Sequence, residues 1–392
     1  VTTERLYRDD PYLLEFEAHV VRRLEHENRP AVVLDRTAFY PESGGQPWDL
    51  GTLGGVGVVA VVEQDGDVLH VLATPLAADT VSGRVDAERR RDHREQHHGQ
   101  HLLSRAFEDV ARAATASFHL GAEEVTIDLD REVSDGQVRA AEERTNDAIW
   151  AARPVTVRVV SQTEARRFGL HPPEDAGDAV RLVEAEGFDL QPCGGTHPRS
   201  TSEVGLVVVL GRERHKGGSR IRFVCGRRAL AAFHDRAAVL ERLTSLFSSP
   251  IEALPDSAQR ALDGRTTAEK RVKELLLQSL DAEAQRLLAA RPDAPAIVTA
   301  AYDGWDPEAL RGLAQRLVTL RPCVALLGSR GDKAYLAFAQ SEGLPHDIPA
   351  LLKSAVALLG GRGGGKGNLA QGAGDRLDAL EAALSQAAEA VR

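Results

Sequence analysis

The spacing at which apolar residues recur changes several times along these 392 residues, and no single layer architecture fits all of it. Residues 14–21 (LEFEAHVV), 31–34 (AVVL), 56–62 and 68–71 are short, valine-rich runs separated by turn signals such as Asp65-Gly66. They predict a small β-barrel. From Arg84 a charged run, RVDAERRRDHREQ, leads into a helical stripe made by Leu102, Leu103, Ala106, Phe107 and Val110. Strands at 125–129, 155–160, 206–210 and 221–225 with a helix over 134–152 make an α+β pattern. Residues 257–290 place Val272, Leu276, Leu280, Ala284 and Leu287 at three- and four-residue spacing, which predicts a connecting helix ended by Pro292 and Pro295. Strands at 296–301, 323–327 and 335–339 then alternate with helices at 307–320, 348–359 and 376–391, an α/β arrangement.

The expected fold is therefore multidomain α+β. It comprises an N-terminal barrel over 1–90, an α+β domain over 91–240, a helical linker over 241–292 and a C-terminal α/β domain over 293–392. Hydrophobic residues at 43% and charged residues at 27% are the balance of a globular chain. No apolar run reaches membrane-spanning length, and the start, VTTERLYRDD, has no apolar signal core, so the expected location is cytoplasmic, with no membrane partner. Three scattered cysteines, Cys193, Cys225 and Cys323, do not form a disulfide framework. A net charge of -10 means that a nucleic-acid partner would be held by local basic patches. Two stretches qualify: 199–228, with eight Lys/Arg against two Glu, and 353–374, with Lys353, Arg362 and Lys366 and no acid. A solvated surface is the competing reading of either.

His97 and His101 lie four apart in a helical segment, so their imidazoles share one face one turn apart. Thirteen histidines would produce such a pair by chance roughly 0.4 times, so the pair alone decides little. His93, in RRRDHREQ, reads as a solvated residue near the helix start, and His98 is turned roughly 100° off the shared face. Cys193 and His197 form a second pair in QPCGGTH, where two glycines let the backbone bend until thiolate and imidazole converge. Together the four residues are the nitrogen and sulfur donors that tetrahedral zinc prefers, unless they are unrelated core or surface residues.

HHGQHLLSRAF, followed by QPCGGTHPRSTSEVGLVVV, resembles the editing domain of alanyl-tRNA synthetases and of the free-standing alanyl-tRNA editing proteins, the AlaX family. TAFYPESGGQPWDLG, residues 37–51, is similar to the glycine motif of the barrel that precedes that domain. GGRGGGKGNLAQGAG, residues 360–374, is similar to the DHH-associated domain at the carboxy terminus of the long members. Nothing resembles the aminoacylation motifs of a synthetase or the DHH triplet of a phosphoesterase, and His346-Asp347 reads as a turn.

The resemblance implies a zinc ion on His97, His101, Cys193 and His197, with Gly194 and Gly195 shaping the turn between the last two. It implies catalytic or pocket roles for Thr196, Ser117 and His119, the last two in ATASFHLG, and substrate or tRNA contacts at Gly44, Gly45, Gly194, Gly195, Lys353, Arg362 and Lys366. The implied activity is zinc-assisted hydrolysis of the ester in alanine tRNA mischarged with serine or glycine, zinc orienting and polarising the substrate while Thr196 helps hold the water. A silent tRNA-binding module with structural zinc, threonyl-tRNA-type editing and a phosphoesterase stay open as alternatives. A homodimer through the helical linker or the C-terminal domain is compatible with this reading.

Overall fold

The computed structural model describes residues 3–170, 179–292 and 295–392. The chain divides into two compact units, Val1–Arg242 and Leu243–Arg392.

The first unit opens with β1 (Glu4–Arg5), β2 (Glu15–His26), β3 (Arg29–Leu34), β4 (Arg36–Thr37), β5 (Gly51–Leu53), β6 (Val56–Gln64), β7 (Asp67–Leu72) and β8 (Thr80–Val85). Six of these close a barrel in the order β2-β3-β7-β6-β5-β8, while β1 pairs parallel with β4. Its hairpins turn at Glu27-Asn28, Gly54-Gly55 and Asp65-Gly66, all with positive φ, the mirror-image turns that match strand twist. Val32, Leu34, Leu53, Val61, Leu72 and Val81 fill the interior. The sequence pattern anticipated the long strands; β5 has three residues and β8 includes Gly83, too little apolar signal to find them.

α1 (Ala87–Ala111) follows, capped by the Asp86 carboxylate, which accepts from the Glu88 and Arg89 amides. Then come β9 (Thr115–Leu120), β10 (Val125–Leu129), α2 (Asp135–Trp150), β11 (Val155–Ser161), α3 (Gln162–Arg167), β12 (Ala179–Ala185), β13 (Asp189–Pro192), β14 (Val207–His215) and β15 (Gly218–Cys225). Ser134 and Gln137 form a reciprocal cap at the start of α2. One antiparallel sheet runs β14-β15-β10-β9 and another β11-β12-β13. Leu102, Leu103, Ala106 and Phe107 of α1 pack with Val138 and Ile149 of α2 and with Ile127, Ile221 and Phe223 of the first sheet. α4 (Gly226–Phe247) leads out of the first unit.

The second unit holds α5 (Leu254–Ala289), β16 (Ala296–Asp303), α6 (Pro307–Leu320), β17 (Cys323–Arg330), β18 (Ala334–Gln340), α7 (Ile348–Leu358), β19 (Arg362–Lys366), β20 (Leu369–Gly374) and α8 (Leu380–Ala390). Its sheet runs β16-β17-β18-β20-β19, and only the β16–β17 pair is parallel. α6 and the end of α5 cover one face through Leu280, Ala284, Leu310, Leu313 and Leu317. α7 and α8 cover the other through Leu352, Val356, Leu380 and Leu384. Asp347, in the expected turn, caps α7. The glycine stretch forms the edge hairpin of β19 and β20. No helix among the described residues is long and apolar enough to cross a membrane.

Candidate metal centre

α1 carries His93, His97, His98 and His101 in its buried middle turns. Cys193 directly follows β13, and the turn after it delivers His197. Arg181 on β12 fixes this turn: its Nη1 donates to the Cys193 carbonyl at 2.8 Å and to the Gly195 carbonyl at 3.1 Å, while its own carbonyl accepts from the Cys193 amide at 3.0 Å. A Cβ at Gly195 would stand 2.4 Å from His97 Cε1, so only glycine lets the turn close on α1.

The donor atoms of His97, His101, Cys193 and His197 all lie within 4.8 Å of one another. Cys193 Sγ is 3.2 Å from His97 Nε2 and 3.2 Å from His197 Nε2. His101 turns its Nδ1 to Asp189 Oδ2 at 3.3 Å, a carboxylate–histidine pair that leaves Nε2 for the cluster. Three imidazoles and one thiolate suit zinc, and His97 Nδ1 is buried with no partner among the described residues. Burial pushes the Cys193 thiol up, but the His97, His197 and His101 imidazoles outweigh it and hold the thiol well below its usual range. Burial drives His197 down to about 3. Burial works against a charged His101, but the Cys193 thiolate and Asp189 raise it to about 10, so a metal on its Nε2 would displace a proton.

The expected glycine motif acts through its neighbour. Gly44 and Gly45, both with positive φ, form a turn that presents Gln46. Gln46 is fully buried; its Nε2 donates to Thr196 Oγ1 at 3.0 Å, and its Oε1 accepts from the Thr196 amide at 3.2 Å. The Thr196 hydroxyl, expected to hold water, is thus buried and engaged with Gln46. Gly45 packs on Phe118, whose ring centre lies 5.5 Å from that of His97. Strand alternation then puts Ser117 and His119 on the opposite face of β9, both exposed. There the Ser117 hydroxyl donates to Asp128 at 2.7 Å. The structure does not bring Ser117 or His119 to the cluster; Phe118 takes the position expected of them. Gly194 is open to solvent, with nothing within 4 Å of a Cβ built on it.

Two further expectations change. His93 is only 2% exposed and not solvated, because one face of the charged start of α1 is interior: Arg90 pairs there with Asp49, both fully buried. His98, set aside for its angle, is buried with Nδ1 3.1 Å from His197 Nδ1. Asp189, Gln46, Arg181 and Phe118 were missed; Asp189, four residues before Cys193, gave the one readable signal, an acid near a ligand.

The basic stretches also separate. In 199–228 the arginines pair with acids from other segments: Arg199 with Asp10, Arg212 with Asp135, Arg214 with Glu132, Arg220 with Asp128, Arg222 with Glu124, Arg227 with Glu88 and Arg228 with Asp92. Lys353, Arg362 and Lys366 are exposed and have no carboxylate partner among the described residues. They are not one patch. Gly363 faces Leu352 of α7, so Arg362, Gly364 and Lys366 line the other face of β19, away from Lys353 on α7.

Residues 180–222 match the family described as the threonyl and alanyl tRNA synthetase second additional domain, and 293–392 match the DHHA1 domain. The chain is 30% identical to the alanyl-tRNA editing protein AlaX-L of Pyrococcus horikoshii over 94% of both proteins. It belongs to the AlaX-L family. Alanine–tRNA ligases of Pyrococcus abyssi and Archaeoglobus fulgidus are 32% and 33% identical over 94% and 96% of this chain. The chain spans 42% of the length of each of these ligases. The AlaX-L match covers 94% of the chain and so reaches into both units, and the glycine hairpin lies within the DHHA1 match.

Proposed function

We propose that this chain is a trans-acting editing hydrolase that releases serine or glycine from mischarged alanine tRNA, with zinc on His97, His101, Cys193 and His197. The observation that carries this reading is the buried three-imidazole, one-thiolate cluster inside a chain of the AlaX-L family. Zinc bound there would supply polarisation and orientation of the aminoacyl group. The rest falls to the protein. Asp189 fixes the His101 ring, Arg181 holds the carbonyls of the CGG turn, and Gln46 ties that turn to the barrel through Thr196. Phe118 lies beside His97 and the exposed Gly194 follows Cys193, so neither would place a polar side chain against the aminoacyl group. Water adds to the ester carbonyl and the ribose oxygen leaves with a proton, giving free amino acid and uncharged tRNA. Arg362 and Lys366 would contact tRNA phosphates on the open face of β19.

The test is deacylation of Ser-, Gly- and Ala-charged alanine tRNA by the native chain, with and without a chelator, beside Cys193→Ala. Serine or glycine release that needs metal and falls at least about 100-fold in Cys193→Ala supports the reading. Bound metal without any deacylation would instead make the centre structural and the chain a tRNA-binding module.

A further inference from the structure

Behind the four donors stands a fifth imidazole. His98 is 1% exposed, its ring is 5.3 Å from that of His197 at 86°, and the two Nδ1 atoms are 3.1 Å apart. His197 points its other nitrogen, Nε2, at Cys193. Two imidazole nitrogens at this separation share one proton, and the centre decides which ring owns it. A metal-ligating Nε2 must offer a lone pair, so a neutral His197 carries its proton on Nδ1 and donates to His98 Nδ1. The reverse arrangement would put hydrogen on His197 Nε2 and remove it from the donor set. His98 then carries its own proton on Nε2, a buried atom with no partner among the described residues. That orphaned donor is a cost of this arrangement, which a metal bond at His197 Nε2 would offset. His101 has the same device in a commoner form: its Nδ1 meets the Asp189 carboxylate.

We propose that His98 is a positioning residue, whose Nδ1 accepts the His197 Nδ1–H and holds that ring in the tautomer and orientation that turn the Nε2 lone pair toward Cys193. The proposal rests on reading the four donors as a metal centre. It makes His197 and His101 a pair of imidazoles each locked from behind, one by a ring and one by a carboxylate.

Two measurements on the full-length, zinc-loaded chain test it. In protein labelled with nitrogen-15 at histidine, the shared proton should sit on His197 Nδ1 and show scalar coupling to His98 Nδ1. A proton residing on His98 Nδ1, or no coupling between the rings, overturns the proposal without any variant. Zinc competition against a chromophoric chelator then compares His98→Leu, which keeps bulk but accepts nothing, with His98→Asn, whose amide oxygen takes the place of Nδ1. His98→Leu should bind zinc about 10- to 100-fold more weakly than native, and His98→Asn within about threefold of it. Native affinity in His98→Leu overturns the proposal and leaves the metal centre standing. Failure of the native chain itself to bind zinc or cobalt overturns the centre, and with it the role of His98.

Discussion

Where the first unit encloses Arg90 against Asp49, along with His70, His93, His97, His98, His101 and His197, the second encloses Ser257, Ser329, Gln340 and Ser341 among alanines, leucines and glycines. Both interiors are well packed, but different things hold them. In the first, polar groups are desolvated and each must be satisfied by a named partner, so a few side chains carry a great deal of the local energy. In the second, helices approach the sheet closely over glycine and alanine, so absent side chains do the comparable work. Chemistry needs the first kind of interior, because a thiolate and several neutral imidazoles persist together only where partners and burial set their protonation. A surface offered to a large, charged partner can be built on the second.

Acid should separate the two units most sharply. His70 is fully buried between Thr37 and the Val32 carbonyl, and burial lowers its pKa to about 4. The unfolded chain takes up that proton near the ordinary histidine value, about 6.5. Barrel stability is therefore complete above about pH 6.5 and lost as pH falls toward 4, by about 3 kcal/mol in all. The second unit buries no histidine among its described residues. Hydrogen exchange on the intact chain, corrected for intrinsic rates, should show β3 and β7 opening more readily at pH 5 than at pH 7 while β17 and β18 change little. His70→Asn should flatten the barrel's response; equal loss in both units would remove the contrast.

Legibility in the sequence follows the same division. His97, His101, Cys193 and His197 were readable because a helix and a glycine turn translate spacing directly into convergence. The apolar runs behind β3 and β7 were readable because both faces are buried over 31–34 and 68–72, which makes the run continuous. Of the α5 stripe only Leu280 and Ala284 are buried, and Val272 and Leu276 are exposed. Residues whose burial is tertiary were not readable. Nothing local says that Arg90, His93 and Arg94 of RRRDHREQ lie inside, since Arg90 meets Asp49 only after the barrel has formed. Phe118 and Ser117 exchange expected roles because β9 could have faced either way; packing of Gly45 against the ring chose. RGGGK has poor strand propensity and becomes β19 only because β20 and α7 give it a partner and a floor.

The glycines of the hairpin give a smaller and two-signed test. A Cβ at Gly374 would lie 2.4 Å from both Leu359 Cβ and the Leu359 carbonyl oxygen, so Gly374→Ala must push α7 off the sheet. Overpacking of this kind costs about 1–3 kcal/mol. A Cβ at Gly364 meets nothing within 4 Å, and its φ is not positive, so Gly364→Ala should leave stability unchanged or raise it by up to about 1 kcal/mol. Urea unfolding of the two full-length variants, read through exchange in β18 and β20, checks both signs. If both substitutions destabilise alike, close packing is not what the glycines supply.

The smallest effect concerns charge, and it pits two stretches that look alike in sequence against each other. Arg220 is held by Asp128 through Nε at 2.7 Å and Nη2 at 2.9 Å, and Arg222 by Glu124 at 3.1 Å. Such pairs offer tRNA little net charge, and contact with a phosphate would first require breaking them. Arg362 and Lys366 stand on one face of an edge strand, four residues or about 13 Å apart, without an acid to compete. Arg362→Ala with Lys366→Ala should therefore weaken tRNA binding and reduce the slope of log K against log salt by roughly 0.7–0.9 per lost contact. Arg220→Ala with Arg222→Ala, although it removes the same formal charge, should change that slope by much less. Lys353→Ala, on the other side of the hairpin, should leave it unchanged if tRNA lies against the Arg362 face. Zinc content should stay at the native level in the Arg362, Lys366 and Lys353 variants, since every proposed ligand belongs to the first unit. A larger change in slope from the Arg220 and Arg222 pair than from Arg362 and Lys366 would move the tRNA contact to the first unit, and would mean that those arginines exchange carboxylates for phosphates on binding.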